Sequence, residues 1–301
     1  MSEAATYLPI EKRQPDSQYQ DLLRKIMDEG VEVGVIQGEK AKRIVGAQLH
    51  YKINNGFPII TERDLSGSMF LGAIGEHVAF LNGARTQADL ERFGCKWWGR
   101  WLTKEQCAHF DLEEGDMGDG SYGAAWTHFP TAEGEPFDQI DHVMQQIVER
   151  PYLRTHRITP WIPQYTIQHE GLTRKVVVAP CHGDIHLVTD PEEKKLTIHH
   201  IQRSGDLPVG VPFNMIQYGV FGLMVAEKLG YTFEEIVYTF SDVHIYESQY
   251  DKVKELLDRI PRRLGTVMLN DTHDNIKDYR PDDFTLSDYE PHPKMLIPTP
   301  V

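Results

Sequence analysis

Two stretches of this chain, residues 69–83 ("MFLGAIGEHVAFLNG") and 214–230 ("NMIQYGVFGLMVAEKLG"), read as helices that are apolar almost all the way round. A helix without a polar face has to be enclosed by protein or by lipid. No run of 18 apolar residues occurs, so neither stretch is expected to span a membrane. Both must be walled in by other elements. A chain of 301 residues can supply those walls from one large domain or two small ones. No repeat, low-complexity segment or Pro/Gly/Ser linker divides the sequence, so a single domain over 1–301 is expected.

The enclosing elements are legible from their periods. In "DSQYQDLLRKIMDEG", Tyr19, Leu22, Leu23, Ile26 and Met27 recur at helical spacing, and Gly30 is a fitting stop. "RIVGAQLHYKI" alternates Val45, Ala47, Leu49, Tyr51 and Ile53 as a strand does. "PFDQIDHVMQQIVERP" is an amphipathic helix closed by Pro151, and "SQYDKVKELLDRIP" is an exposed one. "KVVVAPCHGDIHLVTD" and "KLTIHHIQRS" read as two strands joined by the turn "DPEEKK". Helices and strands mix without a regular βαβ alternation, which predicts the α+β class.

Bulk properties narrow the function. Hydrophobic and charged residues make up 40% and 25% of the chain, ordinary for a soluble globular protein. The net charge of −14 argues against a nucleic-acid polymer as partner, because neutralising phosphates needs a basic surface. A small anion remains a fitting ligand if basic residues converge locally. Three cysteines are an odd count, which speaks for a reducing cytoplasm rather than a disulfide framework. The first twenty residues lack the apolar core of a secretory signal.

Several residues stand out chemically. Glu76 lies inside an apolar helix pattern; burial there would raise its pKa and suit it to proton transfer. Its other reading is a water-facing side chain. His182, Asp184 and His186 at i, i+2, i+4 on a strand face could bind a metal or simply form a polar face. Cys181 is either a nucleophile or a small buried thiol. Strand neighbours point to opposite faces, so His182 is a poor base for it, and activation would have to come from a cation such as Arg203. "QRSGDLPVGVPFN" clusters polar residues ahead of the second apolar helix. There Arg203 and Ser204 could grip an anion, and Asn214 is either a ligand or the helix cap.

Taken together, "APCHG…HIQRSGDLPVGVPFNMIQYG" resembles the core signature of the thymidylate synthase family. "NNGFPIITER", "GEHVAFLNG", "KWWGRW", "SYGAAW", "SDVHIYESQ" and the tail "YEPHPKMLIPTPV" resemble its other segments, in the same order. The resemblance implies an α+β domain whose large mixed sheet packs face to face in a homodimer. It implies that dUMP is methylated at C5 by 5,10-methylenetetrahydrofolate, a reduced-folate co-substrate, with no metal, giving dTMP. Family alternatives are a pyrimidine nucleotide hydroxymethylase and a silent nucleotide-binding homologue.

On this resemblance Cys181 attacks C6 of the base, Arg203 lowers its pKa and binds phosphate with Ser204, and Glu76 organises water. Tyr122 and His182 sit beside the site. Asn214 reads the base, and His244 and Tyr246 hold the 3′-hydroxyl. Arg157 reaches across the dimer. Trp98, Asp206 and the closing tail with Val301 enclose the folate. The family pattern is broken in three places. The stretch "GVIQGEKAKRI" offers Lys40, Lys42 and Arg43 but lacks the family's loop arginine, the family's arginine pair reads His156–Arg157, and Gly99–Arg100 replace acidic residues.

Overall fold

The computed structural model describes residues 4–300, and its largest sheet has six strands in the order β1-β2-β6-β5-β4-β3. These are β1 (Val31–Gly34), β2 (Lys40–Lys52), β3 (Arg157–Ile158), β4 (Asp184–Asp190), β5 (Lys195–Asp206) and β6 (Thr232–Tyr246). Every pairing is antiparallel except β5 with β6, so the sheet is mixed, as expected for the α+β class. A separate two-stranded ribbon, Thr266–Leu269 with Phe284–Ser287, lies near the C-terminus.

Both apolar helices are buried as their sequences require. The helix Ser68–Leu81 packs against the helix Gly210–Leu229, and the latter lies on β5 and β6. Gly222 lets that helix approach the sheet closely: a Cβ there would sit 2.3 Å from the Phe233 ring. The helix ends at Gly230, which takes the left-handed conformation (φ 64°) and returns its N–H to Ala226. Glycine is the usual residue at such a stop. One buried cluster runs from Ala4 to Ile297. No helix among the described residues is long and apolar enough to cross a membrane.

Among the described residues the other face of the sheet is half-exposed. It carries Asp184, His186 and Val188 of β4, Thr197, His199 and Ile201 of β5, and Val237 and Thr239 of β6; none is fully buried. Arg157, paired in register with His186, belongs to the same face.

Two expectations fail. The run Lys175–Val178 is not a strand. Its backbone bonds go to a short helix and to loops instead: Lys175 N–H to Tyr165, Lys175 carbonyl from Gly120, and Val177 N–H to Met117. The strand starts only at Asp184. Asn214 is not a helix cap either, because the helix begins at Gly210 and Asn214 lies inside it.

Candidate active site

The loop between Lys175 and β4 brings Cys181 to the end of β5. Gly183 makes the turn with φ +97°, and a Cβ there would lie 2.9 Å from the Trp126 ring, so only glycine fits. The Cys181 backbone is pinned on both sides. Its N–H donates to the Tyr122 hydroxyl at 2.8 Å. Its carbonyl accepts from the N–H groups of Arg203 (2.8 Å) and Ser204 (3.2 Å). Arg203 Nη2 lies 3.4 Å from Cys181 Sγ and also donates to the Ala179 carbonyl, while its Nε donates to Pro180. Burial pushes the Cys181 thiol up, and the charges of Arg203 and Arg174 and the bond to Tyr122 offset part of that rise.

His182 turns away from the thiol. Its Nδ1 shares a hydrogen bond of 2.6 Å with the Tyr218 hydroxyl, and its ring stacks on Tyr122 at 4.4 Å. Burial pulls its pKa down to about 3, so the ring is neutral near pH 7. Asp184 pairs with Arg157 at 3.0 Å rather than joining His182 and His186 around a common point.

Cys181 opens into a cleft of about 780 Å³ lined also by Arg203, Ser204, His244 and Tyr246. His244 Nδ1–H donates to Asp242 at 2.6 Å, which sets the tautomer. The His244 and Tyr246 rings meet edge to face at 4.9 Å, as their i, i+2 spacing on a strand allows.

A buried amide relay runs below the cleft. Gln202 Nε2 donates to Asn214 Oδ1 (3.1 Å), and Asn214 Nδ2 donates to Gln217 Oε1 (2.9 Å). Gln217 in turn donates to Glu76. Glu76 also accepts from the indoles of Trp97 (2.9 Å) and Trp98. Burial raises the Glu76 pKa, and these donors, the two indoles foremost, oppose the rise. Asp206 is likewise pushed up by burial, to about 6, and accepts from Gln249 at 3.2 Å. The same Gln249 amide donates to the Pro298 carbonyl (2.9 Å), so it ties Asp206 to the C-terminal tail. Val301 lies outside the described residues.

The structure thus gathers Cys181, Arg203, Ser204, His244 and Tyr246 around one cleft, with Tyr122, His182, Asn214 and Glu76 linked beneath or beside it. Arg157 is apart, on the half-exposed sheet face. Trp98 faces inward onto Glu76, and the tryptophan lining the cleft is Trp101. Sequence reasoning missed Arg174, Gln202, Gln217 and Gln249. Gln202, Gln217 and Gln249 stand inside the quoted motifs and were within reach; Arg174 carries no periodic or motif signal.

The sequence pattern of the thymidylate synthase family matches residues 17–301, and the chain belongs to that family. A protein named thymidylate synthase from Corynebacterium aurimucosum is 31% identical over 280 residues, covering 93% of this chain and 96% of its relative.

Proposed function

We propose that the chain, folded as one domain over 1–301, is a cytoplasmic enzyme converting dUMP to dTMP through a covalent adduct on Cys181. The observation that carries this reading is a thiol 3.4 Å from a guanidinium, at the mouth of a nucleotide-sized cleft, in a member of this family. C5 of uracil is a weak nucleophile. Addition of the Cys181 thiolate to C6 makes C5 an enolate carbon, and sulfur leaves again readily. C5 then takes a one-carbon unit, its proton departs, and elimination of Cys181 restores the C5–C6 double bond. Bound methylenetetrahydrofolate would supply the carbon and the hydride, leaving as dihydrofolate. The chain offers it a fitting partner in Asp206, a buried carboxyl linked to the tail through Gln249.

Glu76 would organise water for the proton transfers; such groups typically contribute about 10²–10⁴-fold. Tyr122 and His182 frame the nucleophile. Asn214 reads the base, His244 and Tyr246 hold the sugar hydroxyl, and Arg203 with Ser204 takes the phosphate. Trp98 and the tail to Val301 border the folate. A second reading, hydroxymethylation of the same nucleotide, has Gly99 and Arg100 on its side. The Arg100 guanidinium lies 5.0 Å from the ring centre of Trp101, which lines the cleft.

The test is covalent capture. Fluoro-dUMP with methylenetetrahydrofolate stalls at the adduct because fluorine cannot leave C5 as a cation. Peptide mapping should find the adduct on Cys181. An adduct on Cys95 or Cys107 overturns the assignment.

The half-exposed sheet face supports a homodimer with shared sites, because it holds Arg157 outside its own cleft. Mixing an Arg157→Ala chain with a Cys181→Ser chain should restore activity, since half of the sites in mixed dimers would be intact. No recovery after verified subunit exchange counts against sharing.

A further inference from the structure

Three arginines line the cleft, and they differ in their partners. Arg43 is neutralised by Asp242 at 3.1 Å. Among the described residues the arginines in ion pairs with carboxylates are Arg13, Arg43, Arg85, Arg92 and Arg157. Arg203 and Arg174 are not among them. Arg174 Nη2 donates to the Val177 carbonyl at 2.6 Å, and its guanidinium lies 4.5 Å from the centre of the Phe110 ring. Its Nε is buried with no hydrogen-bond partner. Burial and the charge of Arg203 pull the Arg174 pKa down, while Cys181 acts on it in the opposite sense. Two guanidiniums therefore share the cleft without a carboxylate counter-ion, in a protein of net charge −14. Like charges held close cost stability until an anion joins them.

We propose that Arg174 is a second anion-binding arginine, which together with Arg203 holds the phosphate monoester of the nucleotide. This deepens the reading of the cleft as a dUMP site and rests on it. The strand and loop nearest the missing family arginine do not supply a substitute. Lys40 is bonded to Glu32 at 2.6 Å and Lys42 to the Met27 carbonyl. The stretch Val33, Gly34, Val35, Ile36 and Gln37 lines the cleft without a charged side chain. A guanidinium makes up to five N–H bonds in a planar fork suited to phosphate oxygens, and Arg174 makes one here. Stacking on Phe110 restrains it without consuming its donors.

The experiment compares wild type, Arg174→Gln and Arg174→Lys. Thermal melts with and without inorganic phosphate report the anion site independently of catalysis. Dissociation constants for dUMP and KM for the folate report the two substrates. Arg174→Gln should fold with at least wild-type stability in anion-free buffer, because it relieves the repulsion. It should lose most of the phosphate-dependent stabilisation. Its dUMP affinity should fall about tenfold to a hundredfold, the effect of one charged hydrogen bond, with the folate KM within about twofold. Arg174→Lys should fall between. Unchanged phosphate stabilisation and dUMP affinity in Arg174→Gln overturn the proposal, as does a loss confined to the folate KM. If wild type ignores dUMP yet its phosphate stabilisation depends on Arg174, the anion site stands and the dUMP reading fails.

Discussion

Cys181→Ser should lose turnover by about 10⁴-fold or more while binding dUMP nearly as well as wild type. A serine hydroxyl is too weakly acidic for Arg203, 3.4 Å from the sulfur, to ionise it. The fold should survive, because the contacts that hold this loop are made by backbone. The N–H of residue 181 bonds Tyr122 and its carbonyl accepts from Arg203 and Ser204. Sγ itself bonds the Ala179 carbonyl at 3.5 Å and Arg203, and a hydroxyl keeps the same hydrogen-bond roles. Calorimetric binding of dUMP beside the rate of dihydrofolate formation separates the two effects. A variant within tenfold of wild-type rate would remove Cys181 from the chemistry.

The second large effect is expected at Asn214. Its amide is oriented from both ends: Oδ1 accepts from Gln202 and Nδ2 donates to Gln217. Each end keeps one further hydrogen-bonding position. Those two positions match O4 and N3–H of uracil, and cytosine presents the opposite pattern. Mismatches that strand buried polar groups cost up to about 10⁴-fold in discrimination. Asn214→Asp should therefore shift preference toward dCMP by about 10²–10⁴-fold. It should also slow turnover of both nucleotides, since an oxygen replacing Nδ2 faces Gln217 Oε1, and Gln217 positions Glu76. Competition between dUMP and dCMP in one reaction, read by product mass, checks this. An unchanged ratio would mean the base is read elsewhere.

The parts of this fold that the sequence made legible are those where one physical demand dominates. The two central helices are apolar all round and could only be enclosed, and both are. β5 alternates over residues 195–202, within the stretch read as a strand, and the i, i+2 spacing of His244 and Tyr246 brings their rings together. The run Lys175–Val178 misled because β-branched composition reports a side chain fit for a half-buried surface, not the direction of its backbone bonds. Val176 and Val177 are indeed buried, but their segment bonds to a short helix and to loops, not to a neighbouring strand. "WWGRW" was legible as a motif but not in the directions of its side chains. A 3₁₀ turn over Trp98–Arg100 divides its indoles: Trp97 and Trp98 bond Glu76, and Trp101 lines the cleft. Arg174 had no signature at all; only the folded loop brings it beside Arg203.

The central claim is that this cleft makes dTMP. Both possible products pass through the same one-carbon substituent on C5, and the outcome depends on whether hydride or water reaches it first. A closing tail excludes water and fixes the donor. Here Gln249 ties the tail at Pro298 to Asp206. Purified protein incubated with dUMP and methylenetetrahydrofolate, followed by mass analysis of the nucleotide and absorbance of the pterin, reads both products at once. The account predicts dTMP with an equal amount of dihydrofolate. Hydroxymethyl-dUMP with tetrahydrofolate would contradict it.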